Sequence, residues 1–584
     1  MADPTFAVAF AEALEDLGVR RAFGVSGGAI SFFWSALGGT GIEVTHFRHE
    51  SGAAFAACEA SIVSNAPVVV FVTTGPGLTN ALTGAYATRH EPARVILVSA
   101  STESGMLGRR PIQETGPRTL PQEGIFTAGP LFDFATVVTD ADRLPALIDE
   151  LATAVTGRQR FLAHVSLTLR AQRGLTARVP APAVRAPAAA RAGAPRRSVV
   201  ARAAADAYEM LRDRPWVLWV GGGTRPLAGP VRRLAAAARV PVMATPRGKG
   251  VIAEDDPSYL GVTGFAGHPS VLAYLRRERP EYTLVLGSSL GDFGSGYHPG
   301  YAPGTALVHV DTDPSVFGRA YPDVKTVPVA ADAGTFADEL TALFEARPSA
   351  PLMPQPDART AGEATGQDEP IHPGHLMDAV QAAFVGRGLL VMAETGNALA
   401  WAINRLRFTD PRQWRAPSGL VGSMGHFSTG VVGAALASGR RAVALVGDGS
   451  MLMLNEVSTA VATGAPATWV VLNDSCYNMC AQGVEVLGLT NVDCALPATD
   501  FAAYARALGA AGSTVRRPAD LPGALRAAAH RPGPVVVDVH VDPRVGAPTA
   551  GRNAGLLRDS AGARPLTAVR RRVTDPWNPR RATA

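Results

Sequence analysis

The chain has 584 residues, 47% hydrophobic and 18% charged, which is enough for several buried cores and too apolar for a disordered protein. Its net charge of +5 comes from scattered residues rather than a basic patch, and its first residues carry acids where a secretory leader needs an apolar run. No apolar run reaches the roughly 18 residues of a membrane span, and four cysteines make no disulfide framework, so a soluble cytoplasmic protein is expected.

Segment 1–172 alternates β-branched runs (IEVTHF, VVVFVT, RVILVS) with small-residue helical stretches at 51–63 and 79–90. A Pro- and Ala-rich linker is expected at 173–197. Segment 198–346 repeats the alternation with WVLWV, YTLVLG and ALVHV, and a second linker is expected at 347–373. Segment 374–545 carries GLLVMAE, RAVALVG and ATWVVLN; residues 546–584, Gly- and Arg-rich, read as an extended tail. Strands buried on both faces and joined by helices predict three parallel-sheet α/β domains. In such sheets ligands sit beyond the carboxyl ends of the strands.

Only Lys249 and Lys325 are lysines; the remaining basic residues are arginines. Neither lysine has the setting of a Schiff-base residue, which argues against pyridoxal phosphate chemistry.

The strongest local signal spans 441–474, RAVALVGDGSMLMLNEVSTAVATGAPATWVVLND. A strand runs into the turn Gly447-Asp448-Gly449-Ser450, a helix follows at about 451–463, and a second strand ends at Asn473-Asp474. Glycines let backbone N–H groups approach an anion, and a helix N-terminus favours negative charge. A carboxylate there would repel a bare phosphate, unless a divalent cation lies between them. Asp448 and Asp474 close neighbouring strand ends, so their oxygens can converge on one ion, and magnesium suits them when a diphosphate completes its shell. A helix-capping Asp is the plainer reading of a lone G-D-G. The second strand end with its own acid tips the balance.

The span resembles the thiamine diphosphate (ThDP) motif, GDG followed later by Asn-Asn, of the acetolactate synthase and pyruvate decarboxylase superfamily. The resemblance implies that Asp448 and Asp474 bind Mg²⁺ through side chains and Cys476 through its backbone carbonyl. It places Gly447, Gly449, Ser450, Tyr477, Asn478 and Met479 around the cofactor. Asp474 stands where the family usually has Asn.

Further segments match in family order over about 3–545. RHESGAAFAACEAS (48–61) resembles the RHE segment whose glutamate, here Glu50, faces the aminopyrimidine N1′ and drives formation of the C2 ylid. TTGPGLTN (73–80) resembles the cofactor-binding turn and brings in Thr73, Pro76 and Asn80. FGVSGGAI (23–30) adds Gly28, and IQET (112–115) puts Gln113 at the substrate end, with Ile112 replacing an aromatic. AETGN (393–397) implies that Thr395, Gly396 and Asn397 contact the diphosphate. In segment 419–437, Met424 would support the bent cofactor and the Gly422 carbonyl would accept from its 4′-amino group. Acetolactate synthases bind FAD in the central domain partly through two arginines; Ser289 and Phe293 stand at those positions, which argues against FAD. Family members share the cofactor between chains, so a homodimer or a dimer of dimers is expected.

The reaction favoured is carboligation, in which a 2-oxo acid is decarboxylated and its acyl carbanion equivalent passes to an unidentified acceptor. Asn478 and Gly483 replace a Gly and a Trp of the housekeeping acetolactate synthases, and the His-His pair common in family decarboxylases does not occur in the first domain. Simple decarboxylation of a 2-oxo acid is the alternative. A non-catalytic ThDP-binding relative is disfavoured because Glu50, Gln113 and Asp448 occur together. GSSLG (287–291) fits the nucleophile elbow of α/β-hydrolases, but no later histidine completes a triad.

Overall fold

The computed structural model describes residues 3–120, 124–156, 160–179, 197–348, 354 and 370–559. They form three six-stranded sheets, parallel throughout, each carrying helices on its faces. The first sheet contains β1 (Arg21–Gly24), β2 (Glu43–His46), β3 (Val68–Val72), β4 (Arg94–Ala100), β5 (Phe134–Val138) and β6 (Phe161–Leu167), in the order β2-β1-β3-β4-β6-β5. The second contains β7 (Trp216–Val220), β8 (Val242–Ala244), β9 (Tyr259–Val262), β10 (Tyr282–Leu286), β11 (Ala306–Asp311) and β12 (Thr326–Ala330), in the doubly wound order β12-β11-β10-β7-β8-β9.

The third contains β13 (Leu390–Ala393), β14 (Trp414–Arg415), β15 (Ala442–Gly447), β16 (Ala467–Asn473), β17 (Ala511–Val515) and β18 (Val535–His540). Its order, β14-β13-β15-β16-β18-β17, repeats the topology of the first sheet. Continuous apolar strands such as VVVFV and ATWVVLN are buried along their whole length because helices cover both faces.

The first and third units meet through two small-residue helices, Glu50–Ser64 and His426–Ser438. Their backbones approach so closely that a Cβ on Gly433 would overlap the Ala56 carbonyl. A larger residue at 433 would force the helices, and the strand ends they follow, apart. The central unit is tied to the third by Lys249, whose Nζ donates to Glu254 at 2.9 Å and to the Ile403 carbonyl at 3.0 Å.

Two details differ from the sequence expectation. The helix expected at about 451–463 is two, Asp448–Met453 and Val457–Thr463. Leu454 between them is extended, and its carbonyl accepts from Ser428 Oγ at 2.6 Å, so the chain turns and redirects Glu456. The start of the expected extended tail is also helical, Ala550–Asp559, because Arg552 and Leu556 pack over Gly483. The middle of each expected linker, 180–196 and most of 349–369, and the tail from 560 onward lie outside the described residues.

Candidate active site

Strands β15 and β16 are neighbours, with Gly447 opposite Leu472, so the residues that follow them lie side by side. Asp448 opens its helix and accepts three backbone N–H groups: Gly449 at 2.7 Å, Asp474 at 3.2 Å and Cys476 at 3.3 Å. Asp474 accepts from Asn478 Nδ2 at 2.6 Å, and the same amide reaches the Pro543 carbonyl at 3.0 Å. Burial pushes the Asp448 carboxyl up to about 6 despite those N–H groups. Burial, and then the charge of Asp448, push Asp474 up to about 7. Two buried carboxyls that resist ionisation side by side are a donor set that a hard divalent cation suits.

The surrounding loops leave space of the right chemistry. A Cβ added to Gly396, Gly422 or Gly447 would meet nothing within 4 Å. Gly396 and Gly422 have φ of +120° and +56°, so these turns need glycine. Thr395 Oγ1, Asn397 Oδ1 and Ser475 Oγ are buried without a hydrogen-bond partner among the described residues. Orphaned polar atoms at adjoining strand ends are what a bound polyoxygen group would satisfy, so a diphosphate with its cation fits here. Ser450 is buried in the same turn, and the Tyr477 ring lies directly over Gly449. Met424 is half-buried on the loop between Gly422 and Gly425, while Met479 packs against the core of its own domain. The Cys476 carbonyl accepts from Asn478 N at 2.7 Å.

The first domain assembles a second surface. Glu50 is the first residue of its helix, only 9% exposed, and its Oε2 accepts from Asn80 Nδ2 at 3.1 Å. Pro76 starts the helix Pro76–Arg89 that carries Asn80. Thr73 fills the space beside Gly27, which brings the Gly28–Ile30 turn against the same strand ends. Gln113 has φ of +53°, and its Oε1 accepts from Thr74 Oγ1 at 3.1 Å, so a left-handed backbone turns this side chain onto the Thr73–Asn80 turn. Ile112 beside it is 93% exposed.

Family models for the N-terminal, central and C-terminal domains of thiamine pyrophosphate enzymes match residues 4–120, 205–340 and 394–539. The chain belongs to the thiamine pyrophosphate enzyme family. Among its relatives, it is 28% identical over 528 residues to a putative acetolactate synthase large subunit of Mycobacterium tuberculosis, covering 88% of this chain and 93% of that one. It is 27% identical to the acetolactate synthase isozyme 1 large subunit of Escherichia coli (91% and 92% covered). It is 28% identical to a probable 2-ketoarginine decarboxylase of Pseudomonas aeruginosa (87% and 88% covered). A ThDP-dependent 4-hydroxybenzoylformate decarboxylase of Rhodococcus jostii shares the fold, with a TM-score of 0.75 and 20% identity over 92% of this chain and 99% of that one.

Glu394 and Glu456 are among the acids of this thiamine pyrophosphate enzyme that the sequence did not single out. Glu394, fully buried, accepts from Thr395 N at 3.1 Å, Phe427 N at 2.8 Å and Ser428 N at 3.0 Å, tying the 395–397 turn to the helix after Met424. It lay inside the AETGN motif and could have been singled out there. Glu456 lay inside a predicted helix and gave no signal. Its carboxylate accepts the N–H groups of Arg48 at 3.1 Å and His49 at 3.2 Å. Glu456 thus brings the third domain to the Glu50 turn, while Glu50 itself makes no hydrogen bond or ion pair with the third domain among the described residues. No described helix is long and apolar enough to cross a membrane.

Proposed function

We propose that this chain is a ThDP- and Mg²⁺-dependent carboligase that decarboxylates a 2-oxo acid and transfers the acyl unit to an acceptor. The observation that carries the reading is the pair of buried carboxyls, Asp448 and Asp474, at adjacent strand ends beside open glycine turns. ThDP, when bound, supplies a nucleophilic carbon and a sink for the electron pair released with CO₂.

The chain's residues do the rest. Asp448 and Asp474 would hold the divalent cation and offset its charge, with the Cys476 carbonyl available as a further oxygen donor. Thr395, Gly396, Asn397, Gly447, Gly449 and Ser450 line the diphosphate turn, and Met424 and the Gly422 carbonyl receive the pyrimidine side. Tyr477, Asn478 and Met479 follow the metal loop, with Asn478 holding Asp474 in place. Glu50 holds a proton at N1′, oriented by Asn80. Gln113 and Gly28 would face the substrate end of the cofactor, with Thr73 and Pro76 shaping the turn beside them.

In this reading the pyrimidine surface of one chain serves the diphosphate surface of another. Ile112, Leu420 and Met453 are 93%, 74% and 53% exposed in the isolated chain, apolar surface of the kind a second copy would cover. The decarboxylase reading is kept alive by the relatedness to a probable 2-ketoarginine decarboxylase. One experiment separates the two: incubation with ThDP, Mg²⁺ and a panel of 2-oxo acids, singly and in pairs, followed by mass spectrometry. Coupled products support carboligation, aldehydes alone support decarboxylation, and no turnover of any 2-oxo acid in the panel rejects both.

A further inference from the structure

A cluster of buried charge lies where all three domains meet. Arg415, the last residue of β14, is 2% exposed. It donates to Glu59 of the first domain through Nε at 2.8 Å and Nη2 at 2.7 Å, and through Nη2 to Glu91 at 3.1 Å. Both glutamate side chains are fully buried. Arg247 of the central domain donates to the same Glu91 oxygen at 2.5 Å. Two acids therefore face two guanidinium groups directly, with a third, Arg225, held beside them by the Pro411 and Trp414 carbonyls.

The remaining contacts of these acids give the junction its direction. Glu91 Oε1 accepts the backbone N–H of Ser418 at 2.9 Å. Glu59 Oε1 lies 3.0 Å from His426 Nε2, and the His426 ring stacks on Phe55 at 4.9 Å. Ser418 and His426 are the two ends of the loop that carries Gly422 and Met424. The loop is thus gripped at both ends by acids of the first domain of the same chain. A buried ion cluster contributes little net stability compared with apolar packing of the same volume, but each of its oxygens fixes a donor in place.

The geometry points to Glu59 and Glu91, bridged by Arg415, as positioning residues that hold loop 418–426 in its cofactor-receiving shape before the cofactor arrives. This rests on the reading of that loop as the support for ThDP. It adds that the support is built from within one chain, even where the pyrimidine surface comes from another.

The test compares two buried ion pairs. Glu91→Gln should weaken binding of ThDP to the apoprotein at saturating Mg²⁺ by about tenfold or more, read from tryptophan fluorescence. Glu254→Gln breaks the Lys249 pair, which is equally buried and touches no part of the loop, and should leave ThDP affinity within about twofold while lowering the melting temperature comparably. Unchanged ThDP affinity in Glu91→Gln, or equal weakening in both variants, would overturn the proposal. Should Glu91→Gln fail to fold, hydrogen exchange of the wild-type apoprotein decides. The amides of 418–428 should exchange as slowly as those of β15, and rapid exchange that slows only on adding ThDP counts against the clamp. A wild-type protein that binds no ThDP rejects the functional reading instead, and the same exchange measurement still judges the clamp.

Discussion

The carboxylate of Glu456 accepts the backbone N–H of Arg48 at 3.1 Å, so an acid of the third domain caps the turn that Glu50 opens in the first. Gly52 leaves room for it, since a Cβ there would lie 2.6 Å from Glu456 Oε1. Burial raises the Glu456 carboxyl from 4.5 to about 7. Between those values the folded protein keeps a proton that the unfolded chain has released. The contribution of this group is therefore full below about 4.5 and lost as pH rises through about 7. Glu456→Gln should flatten the fall in melting temperature between about pH 5 and pH 8, as differential scanning calorimetry will show. An identical slope in the variant would mean that Glu456 is already ionised at low pH.

Asp474 makes a second prediction. Its carboxyl holds a proton up to about 7 in the metal-free protein, so below that pH Mg²⁺ must displace the proton to bind. Mg²⁺ affinity in the presence of ThDP should rise with pH up to about 7 and then level. Asp474→Asn should flatten that rise and keep activity, whereas Asp448→Asn should lose ThDP affinity by about tenfold or more. Calorimetric titration at several pH values checks both, and an unchanged profile in Asp474→Asn would remove Asp474 from the metal.

For Glu50, the conservative change is informative. Glu50→Gln should leave the fold and ThDP binding intact and slow exchange of the C2 proton of bound ThDP by about 10²–10⁴-fold, measured by proton NMR after quenching. Exchange at the wild-type rate would remove Glu50 from ylid formation.

The proposed sharing of the cofactor between two chains predicts that the active species is at least a dimer. Sedimentation velocity combined with an activity assay at the same concentrations tests this, and a fully active monomer is the result that excludes it.

The purified protein should be colourless and release no flavin on denaturation. Phe293, at one of the expected flavin arginine positions, instead stacks on Phe265 with ring centroids 5.6 Å apart and packs against Gly419. Stoichiometric flavin in the supernatant of the denatured protein would overturn the expectation.

Much of this was legible in the sequence because its signals are local. Short, β-branched continuous runs such as VVVFV read as strands covered on both faces, and three sets of them gave three sheets. Asp448 and Asp474 could be paired because each ends a strand and the two strands are consecutive. Glu59, Glu91 and Arg415 carried no such signal. Arg415 and Glu59 are 356 residues apart, and each reads as an ordinary polar residue until the domains are packed together. The break at Leu454 was hidden for a similar reason, since the extended backbone there is fixed by Ser428 from another helix. Gln113 was found from its motif, but its left-handed backbone was not, because nothing in IQET requires it.

The burial of Lys249 against Glu254 decides how the assembly can be measured. It leaves Lys325 as the one lysine open to solvent. Reagents that couple primary amines have only Lys325 and the α-amino group to join, so amine cross-linking registers a contact between chains only where these groups lie within reach of one another. Arginine-directed or carboxyl-directed chemistry reaches far more of this surface and is the better test for a second copy of the chain.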